Sequence, residues 1–234
     1  LSLHDALPIS IAEEAKALLR DLITRHAMPV PFRPGVAHAC RTEAEVRHSH
    51  AMAEKLAREY GYDQVEPLDK AGIRGLIGSD DYVGGDIDRG AGHIHPLNFA
   101  IGLAQAAQAA GVTFHENTLV TGITRGKTTQ VMTAKGSVTA DHVILACNGY
   151  LGDLVPEVAA RVMPINNFII ATEPLGAGAR DLLAEAVAVA DTRFVVNYWR
   201  LSEDNRLLFG GGESFGYRFP DVIATVRKPM LKVY

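Results

Sequence analysis

The chain has 234 residues, 47% of them hydrophobic and 21% charged, with a formal net charge of −4. That length allows one large domain or two modest ones of ordinary globular composition. The acidic balance excludes a basic nucleic-acid face, and no apolar run approaches the ~20 residues of a membrane-spanning helix.

Cys40 and Cys147 are far apart and form no C-x-x-C. They suggest neither a zinc knuckle nor a disulfide framework, and a reducing cytoplasm fits them best. Residues 1–9, LSLHDALPI, lack the basic start and long apolar core of a signal peptide and read as a leader foreign to the rest of the chain. Ser10 to Glu13 is a capping box, predicting a helix start, with Ile11, Ala15, Leu18, Leu19, Leu22 and Ile23 on one face and an end before Pro29. A short strand, Val36 to Cys40, leads to a second capping box, Thr42 to Glu45, and a helix stopped by Gly61.

From Val65 to Gly92 the chain is rich in Gly and Asp, which predicts a solvated connector. Pro96 then opens an Ala-rich helix, Leu97 to Ala110, ended by Gly111. Extended runs are expected at Val112 to His115, Thr118 to Thr124, Gln130 to Ala134 and Ser137 to Cys147. The last includes Val143 to Cys147, whose unbroken apolar character predicts a strand buried on both faces of a parallel sheet. Its exit into Asn148-Gly149 is where open α/β sheets place ligands. The second half predicts long strands at Met163 to Thr172, Phe194 to Leu201 and Arg206 to Gly210. Ser202 to Asn205 is turn chemistry joining the last two into an antiparallel pair. The final Lys-Val-Tyr stops inside a helical pattern without a cap, so both ends read as cut.

Three motifs carry candidate chemistry. Gly176-Ala-Gly178 begins like a phosphate loop, but Asp181 replaces the third glycine and its charge opposes a pyrophosphate, so a surface turn is expected. His93 and His95 alternate onto one face of a strand-like segment, a pattern some metal hydrolases use, with Asp86, Asp88 and His115 as imaginable further ligands. Packing of the two imidazoles against a pocket or seam is the plainer reading, and no metal is assigned. Gly210 to Gly212 end an apolar strand and either approach a flat ligand or form a bend.

Taken in order, GHIHPLNFAIGLAQAAQAAGV, FHENTLVTGI, ADHVILACNGYLG, MPINNFIIATEPL and FVVNYWRLSEDNRLLFGGGESFGYRF resemble the D-amino-acid-oxidase-like family of FAD-dependent oxidoreductases. The nearest likeness is to its γ-glutamylputrescine branch, and it covers about Leu18 to Tyr234. The resemblance implies a mixed fold, α/β plus α+β: a partial Rossmann-like FAD-binding domain interleaved with an antiparallel-sheet substrate domain. Residues 10–33 and 92–153 would form the first, and 34–91 with 154–234 the second. It implies FAD as cofactor, a small amine or amino acid as substrate, and oxidation of a C–N bond.

On that pattern Glu116, Thr118 and Val120 would contact the adenine end, and Ala146, Cys147, Asn148 and Gly149 the adenosine and pyrophosphate. His93 and His95 would lie towards the isoalloxazine. Tyr198, Arg200, Gly210, Gly211 and Gly212 would face it from the substrate sheet, with Asn197 beside them. Arg200 or Tyr198 would hold a substrate carboxylate, unless Arg200 pairs with Glu203 or Asp204 across the hairpin; Trp199 would pack. The family's opening G-x-G-x-x-G turn and its late Gly-rich segment are absent, so the chain as it stands is expected to be an incomplete fragment that binds FAD poorly. A metal hydrolase on His93 and His95, and a non-catalytic truncated binding module, are the alternatives.

Overall fold

The computed structural model describes residues 3–163, 165–214 and 220–234. The chain forms two compact units, Leu1–Ala106 with Asn166–Tyr234, and Ala107–Ile165. The first contains α1 (Leu3–Arg25), β1 (Arg33–Cys40), α2 (Glu43–Tyr60), β2 (Val65–Leu68), α3 (Lys70–Ile77) and β3 (Gly84–His93). After α4 (Pro96–Ala109), the second unit carries β4 (Val120–Thr124), β5 (Thr129–Thr133), β6 (Gly136–Ala140) and α5 (Pro156–Ala159). The first unit resumes with β7 (Asn166–Ala171), α6 (Ala179–Leu182), β8 (Ala188–Asp191), β9 (Tyr198–Leu201), β10 (Leu207–Ser214) and α7 (Val222–Val233).

The large unit is built on a seven-stranded mixed sheet in the order β2-β3-β1-β8-β9-β10-β7. Neighbours are antiparallel except β1 and β8, which run parallel. Alternation along the strands gives the sheet two faces. On one, Ile87, Ala37, Val189, Trp199 and Phe209 stand opposite one another on successive strands, all buried. Ile73 and Ile77 from α3 and Val226 from α7 close this core. On the other face, Asp86, His38, Ala190, Tyr198 and Gly210 form the neighbouring row. Helix α2 covers the β3 end of that face, where the Ser49 hydroxyl donates to Asp86 Oδ2 at 2.6 Å.

Local signals set α2 as expected. The Thr42 hydroxyl accepts from Glu45 N, the Glu45 carboxylate accepts from Thr42 N at 2.8 Å, and Gly61 ends the helix at φ 67°. The β9–β10 turn also forms: Ser202 N donates to Arg206 O at 2.9 Å and Asn205 takes φ 60°. The expected mixture of an α/β section with an antiparallel section is what the chain adopts.

Several expectations are corrected. Helix α1 begins at Leu3, so the first capping box lies inside a helix and not at its start. The Gly- and Asp-rich stretch is no connector: it holds β2, α3 and the ten-residue β3, an interior strand of the sheet. Close packing demands the glycines of β3, since a Cβ at Gly85 would overlap the carbonyl of His38 on β1. Val143 to Cys147 is not a strand. It is exposed, Ile144 to 90%, because no strand among the described residues pairs its backbone and the β4-β5-β6 sheet forms as an antiparallel meander without it. Val112 to His115 is likewise irregular. Gly176–Gly178 is a short 3-10 turn before α6, in keeping with a surface turn. Pro164 and the Phe215 to Phe219 part of the likeness lie outside the described residues.

Candidate active site

Arg200 on β9, Arg33 at the start of β1 and His93 at the end of β3 belong to the large unit, and Arg33 pairs with His93 in register. Arg200 is partly buried, and its one hydrogen bond among the described residues is a long 3.4 Å contact to Leu201 O. The hairpin ion pair is not formed by Arg200. Asp204 instead accepts from Arg206 Nε at 2.7 Å and from Ser202 at 2.5 Å. Burial, then the nearby Arg33 charge, hold the Arg200 guanidinium below its ordinary value, while Glu203 opposes the shift. His93 Nε2 donates to Ala186 O at 3.0 Å, whereas its buried Nδ1 has no partner among the described residues. Burial lowers the His93 pKa, the Ala186 contact opposes this, and the Arg200 and Arg33 charges add to the lowering. Arg200 and Arg33 thus lie near His93, and no carboxylate is paired to Arg200 among the described residues.

His95 stands apart in role. Strand β3 ends at His93, so alternation no longer applies, and His95 Nδ1 accepts from Asn98 N at 3.3 Å at the start of α4. No group of three or more His, Cys, Asp or Glu is placed to hold a metal among the described residues.

Tyr198 and the Gly210 to Gly212 run form one packed arrangement. The Tyr198 hydroxyl donates to Asn167 Oδ1 at 2.5 Å, and burial raises its pKa. Gly210 lies opposite Tyr198, and a Cβ there would overlap the phenol ring. A Cβ on Gly211 would lie 2.6 Å from Asn197 Oδ1, and one on Gly212 2.9 Å from Thr225 Cγ2. The chain's own side chains therefore account for this glycine run, which forms a bulge against β7. Asn197 itself is buried, tied through Nδ2 to Asp191 at 2.9 Å. Trp199 packs in the core, as expected.

The structure adds a pairing that the sequence did not single out. His38 Nδ1 meets Asp86 Oδ1 at 2.8 Å across β1 and β3, in the same row as Tyr198. His38 and Asp86 line a cavity of about 560 Å³ between α2 and the sheet, together with Cys40, Met52, Leu56 and Asp88. The Asp86 hydrogen bond raises the His38 pKa against the opposing effect of burial. Burial lifts the Cys40 thiol to about 11 and keeps it neutral. The only sequence signal was a polar residue at alternate positions of each strand; the pairing itself depends on register.

In the small unit, Glu116 and Thr118 flank a turn at Asn117, φ 51°, and the Thr118 hydroxyl donates to Glu116 O at 2.9 Å. Thr118 and Val120 open onto a cleft of about 520 Å³ that also has His115, Lys135, His142 and Val143 in its walls. Ala146, Cys147, Asn148 and Gly149 follow in an exposed segment that ends in a 3-10 turn at Asn148–Tyr150. A Cβ at Gly149 would meet nothing within 4 Å, so this backbone is open to a flat ligand. The exposed backbone of this segment is chemically compatible with the close approach of a flat cofactor.

The large unit thus carries a seven-stranded mixed sheet and the small unit a three-stranded antiparallel sheet. Residues 3–233 match the family described as FAD dependent oxidoreductase (DAO), and the chain belongs to that FAD-dependent family. Over 224 residues it is 40% identical to the gamma-glutamylputrescine oxidoreductase of Escherichia coli (strain K12), covering 95% of this chain and 52% of that protein. Over 229 residues it is 38% identical to a probable oxidoreductase OrdL of Rhizobium meliloti (strain 1021), covering 96% and 53%. The chain thus spans about half the length of the curated relatives it matches. Glycine oxidase from Geobacillus kaustophilus shares the fold, with a TM-score of 0.75 at 20% identity over 97% of this chain and 62% of that one.

Proposed function

We propose that this chain serves an FAD-dependent oxidoreductase that oxidises the C–N bond of a small amine or amino acid bearing a carboxylate, with a γ-glutamylputrescine-like molecule the favoured substrate. The observation that carries this reading is Arg200, partly buried beside Arg33 and His93 and paired with no carboxylate of its own among the described residues. An arginine held in this way favours a carboxylate ligand through a bidentate fork. The identity with a gamma-glutamylputrescine oxidoreductase supports the substrate class, and the exposed thiol of Cys147 fits a cytoplasmic setting.

FAD, when bound, supplies a two-electron acceptor for the C–H bond next to an amine nitrogen. In this proposal Glu116, Thr118, Val120 and the backbone from Ala146 to Gly149 hold its adenosine part. Arg200 and Arg33 fix the substrate carboxylate, Tyr198 is braced by Asn167, and neutral His93 presents Nδ1 to the ligand. The division by function, 10–33 and 92–153 towards cofactor and 34–91 and 154–234 towards substrate, belongs to this proposal and differs from the division by compactness.

The test is anaerobic reduction of bound flavin, after titration with FAD, in this chain and in the longest polypeptide its reading frame encodes. γ-Glutamylputrescine is expected to bleach the flavin, and Arg200→Gln to raise KM for it about 10- to 100-fold, the loss of one charged hydrogen-bond pair. Putrescine, which has no carboxylate, should be little affected by the substitution. Flavin that no amine or amino acid reduces would refute the reading.

A further inference from the structure

The cavity beneath α2 is separate from the Arg200 cluster but lies on the same face of the sheet. Helix α2 lends it apolar wall from Ala44, Met52, Ala53 and Leu56 and polar wall from Glu45, His48 and Ser49, and His38, Asp86 and Asp88 add polar groups from β1 and β3. About 560 Å³ with mostly apolar walls and a few convergent polar groups is the form of a small-molecule site. Among the described residues, no Lys or Arg lines it, whereas Asp86, Asp88 and Glu45 do.

Its polar floor has a definite chemistry. Asp86 is buried and accepts from both His38 Nδ1 and Ser49, at 2.8 and 2.6 Å. A carboxylate fixed on Nδ1 selects the tautomer that leaves Nε2 as the lone-pair nitrogen, and it stabilises the imidazolium formed once that nitrogen is protonated. Register places His38 and Tyr198 on the same row with only β8 between their strands, roughly 10 Å apart at the usual strand spacing.

We propose that this cavity receives the amino end of an aliphatic ω-amino substrate whose carboxylate is held at Arg200, and that His38 takes the ammonium proton there. This rests on the amine-oxidation reading above. The alkyl chain lies along Ala53, Met52 and Leu56, and the ammonium approaches Nε2 within reach of Asp88. One N–H bond of the ammonium breaks and one Nε2–H bond forms. The positive charge moves to the imidazole beside Asp86, and the amine keeps the lone pair that C–N oxidation requires. The other titratable groups around His38 are Cys40 on its own strand, Asp86 and Asp88 from β3, and Glu45 and His48 from α2. Cys40 stays a neutral thiol, and Glu45 is occupied by Thr42 and Arg41 at the helix cap.

Calorimetric titration of the purified chain with γ-glutamylputrescine and with putrescine across pH tests this without flavin. The complex holds one proton fewer than free imidazolium plus ammonium, so affinity should fall about tenfold per pH unit below the His38 pKa. The Cε1–H resonance of His38 should titrate with the same midpoint. His38→Gln should abolish the slope, and Leu56→Lys, which sets a cation in the wall and leaves His38 intact, should weaken binding at every pH. Circular dichroism identifies any variant that has not folded. Binding with no pH slope, a slope that survives His38→Gln, or no binding by the folded chain would each overturn the proposal. Binding that is linked to pH, without flavin reduction in the loaded protein, would count against the oxidation reading and leave the amine site standing.

Discussion

Trp199 and Phe209 stand directly opposite each other on β9 and β10, their rings stacked at 14° with centroids 5.5 Å apart. Both are almost fully buried, and Tyr82 lies 6.0 Å from the Trp199 ring on another side. This stack fixes β9 against β10, and therefore the phase of Tyr198 and Arg200 on the opposite face.

Phe209→Ala is expected to lower unfolding free energy by about 3–5 kcal/mol, the range for deleting a buried aromatic ring. Chemical denaturation followed by Trp199 fluorescence would measure it. A loss within the surface range of about 0.5 kcal/mol would show that the stack does not carry the core.

Gly85→Ala should destabilise the large unit by several kcal/mol despite adding only a methyl group. Gly85 has φ 155°, and its Cβ would overlap the His38 carbonyl across the β1–β3 pair. Gly149→Ala is the contrast, since its Cβ meets nothing within 4 Å. Near-wild-type stability for both variants would argue against this packing of β3.

The Asp191 carboxylate is fully enclosed, its side chain 0% exposed. It accepts from Tyr82 at 3.0 Å, from Asn197 N and Nδ2 at 2.9 Å each, and from Arg193. Asp191→Ala should cost about 3–5 kcal/mol, because Arg193 would be left without one of its two acid partners. The double variant with Arg193→Met should recover part of that loss, as measured in a thermodynamic cycle. No recovery would mean that the carboxylate acts through Tyr82 and Asn197 alone.

Two histidines bend the pH dependence of stability in opposite directions. His38 is raised above its ordinary 6.5, so the stability it adds is fully present below pH 6.5 and fades as pH rises through its folded value. His93 is lowered by burial, so the fold is favoured above pH 6.5 and loses stability as pH falls towards its folded value. Thermal unfolding of His38→Gln should therefore approach wild type on the alkaline side, and that of His93→Gln should show a shallower loss between neutral and mildly acidic pH. The reverse pattern would reject both assignments.

What the sequence made legible was local. The Thr42–Glu45 capping box, Gly61 and the Ser202–Asn205 turn each act over a few residues, and all appear where expected. Strand β3 was misread because glycine has two uses. Gly84, Gly85, Gly90 and Gly92 look like linker residues, yet each has a neighbour where a Cβ would stand. Val143 to Cys147 fails in the opposite sense: apolar character makes a strand only when another backbone edge pairs with it. Of the site, Arg200 and Tyr198 could be placed by alternation within one strand, and Trp199 followed as packing. His38 and Asp86 are 48 residues apart and meet only through the β1–β3 register, which no local pattern encodes.

The parallel pairing of β1 with β8 also bears on how the molecule is made. Val36 finds Ala188 only after about 150 further residues have left the ribosome, roughly 8–30 s at ordinary elongation rates. Until then Ala37 on β1 and Ile87 on β3 lack their later core partners Val189, Trp199 and Phe209. Nascent chains stalled before β8 should accordingly engage holdase chaperones, and release them once α7 has emerged to close that core.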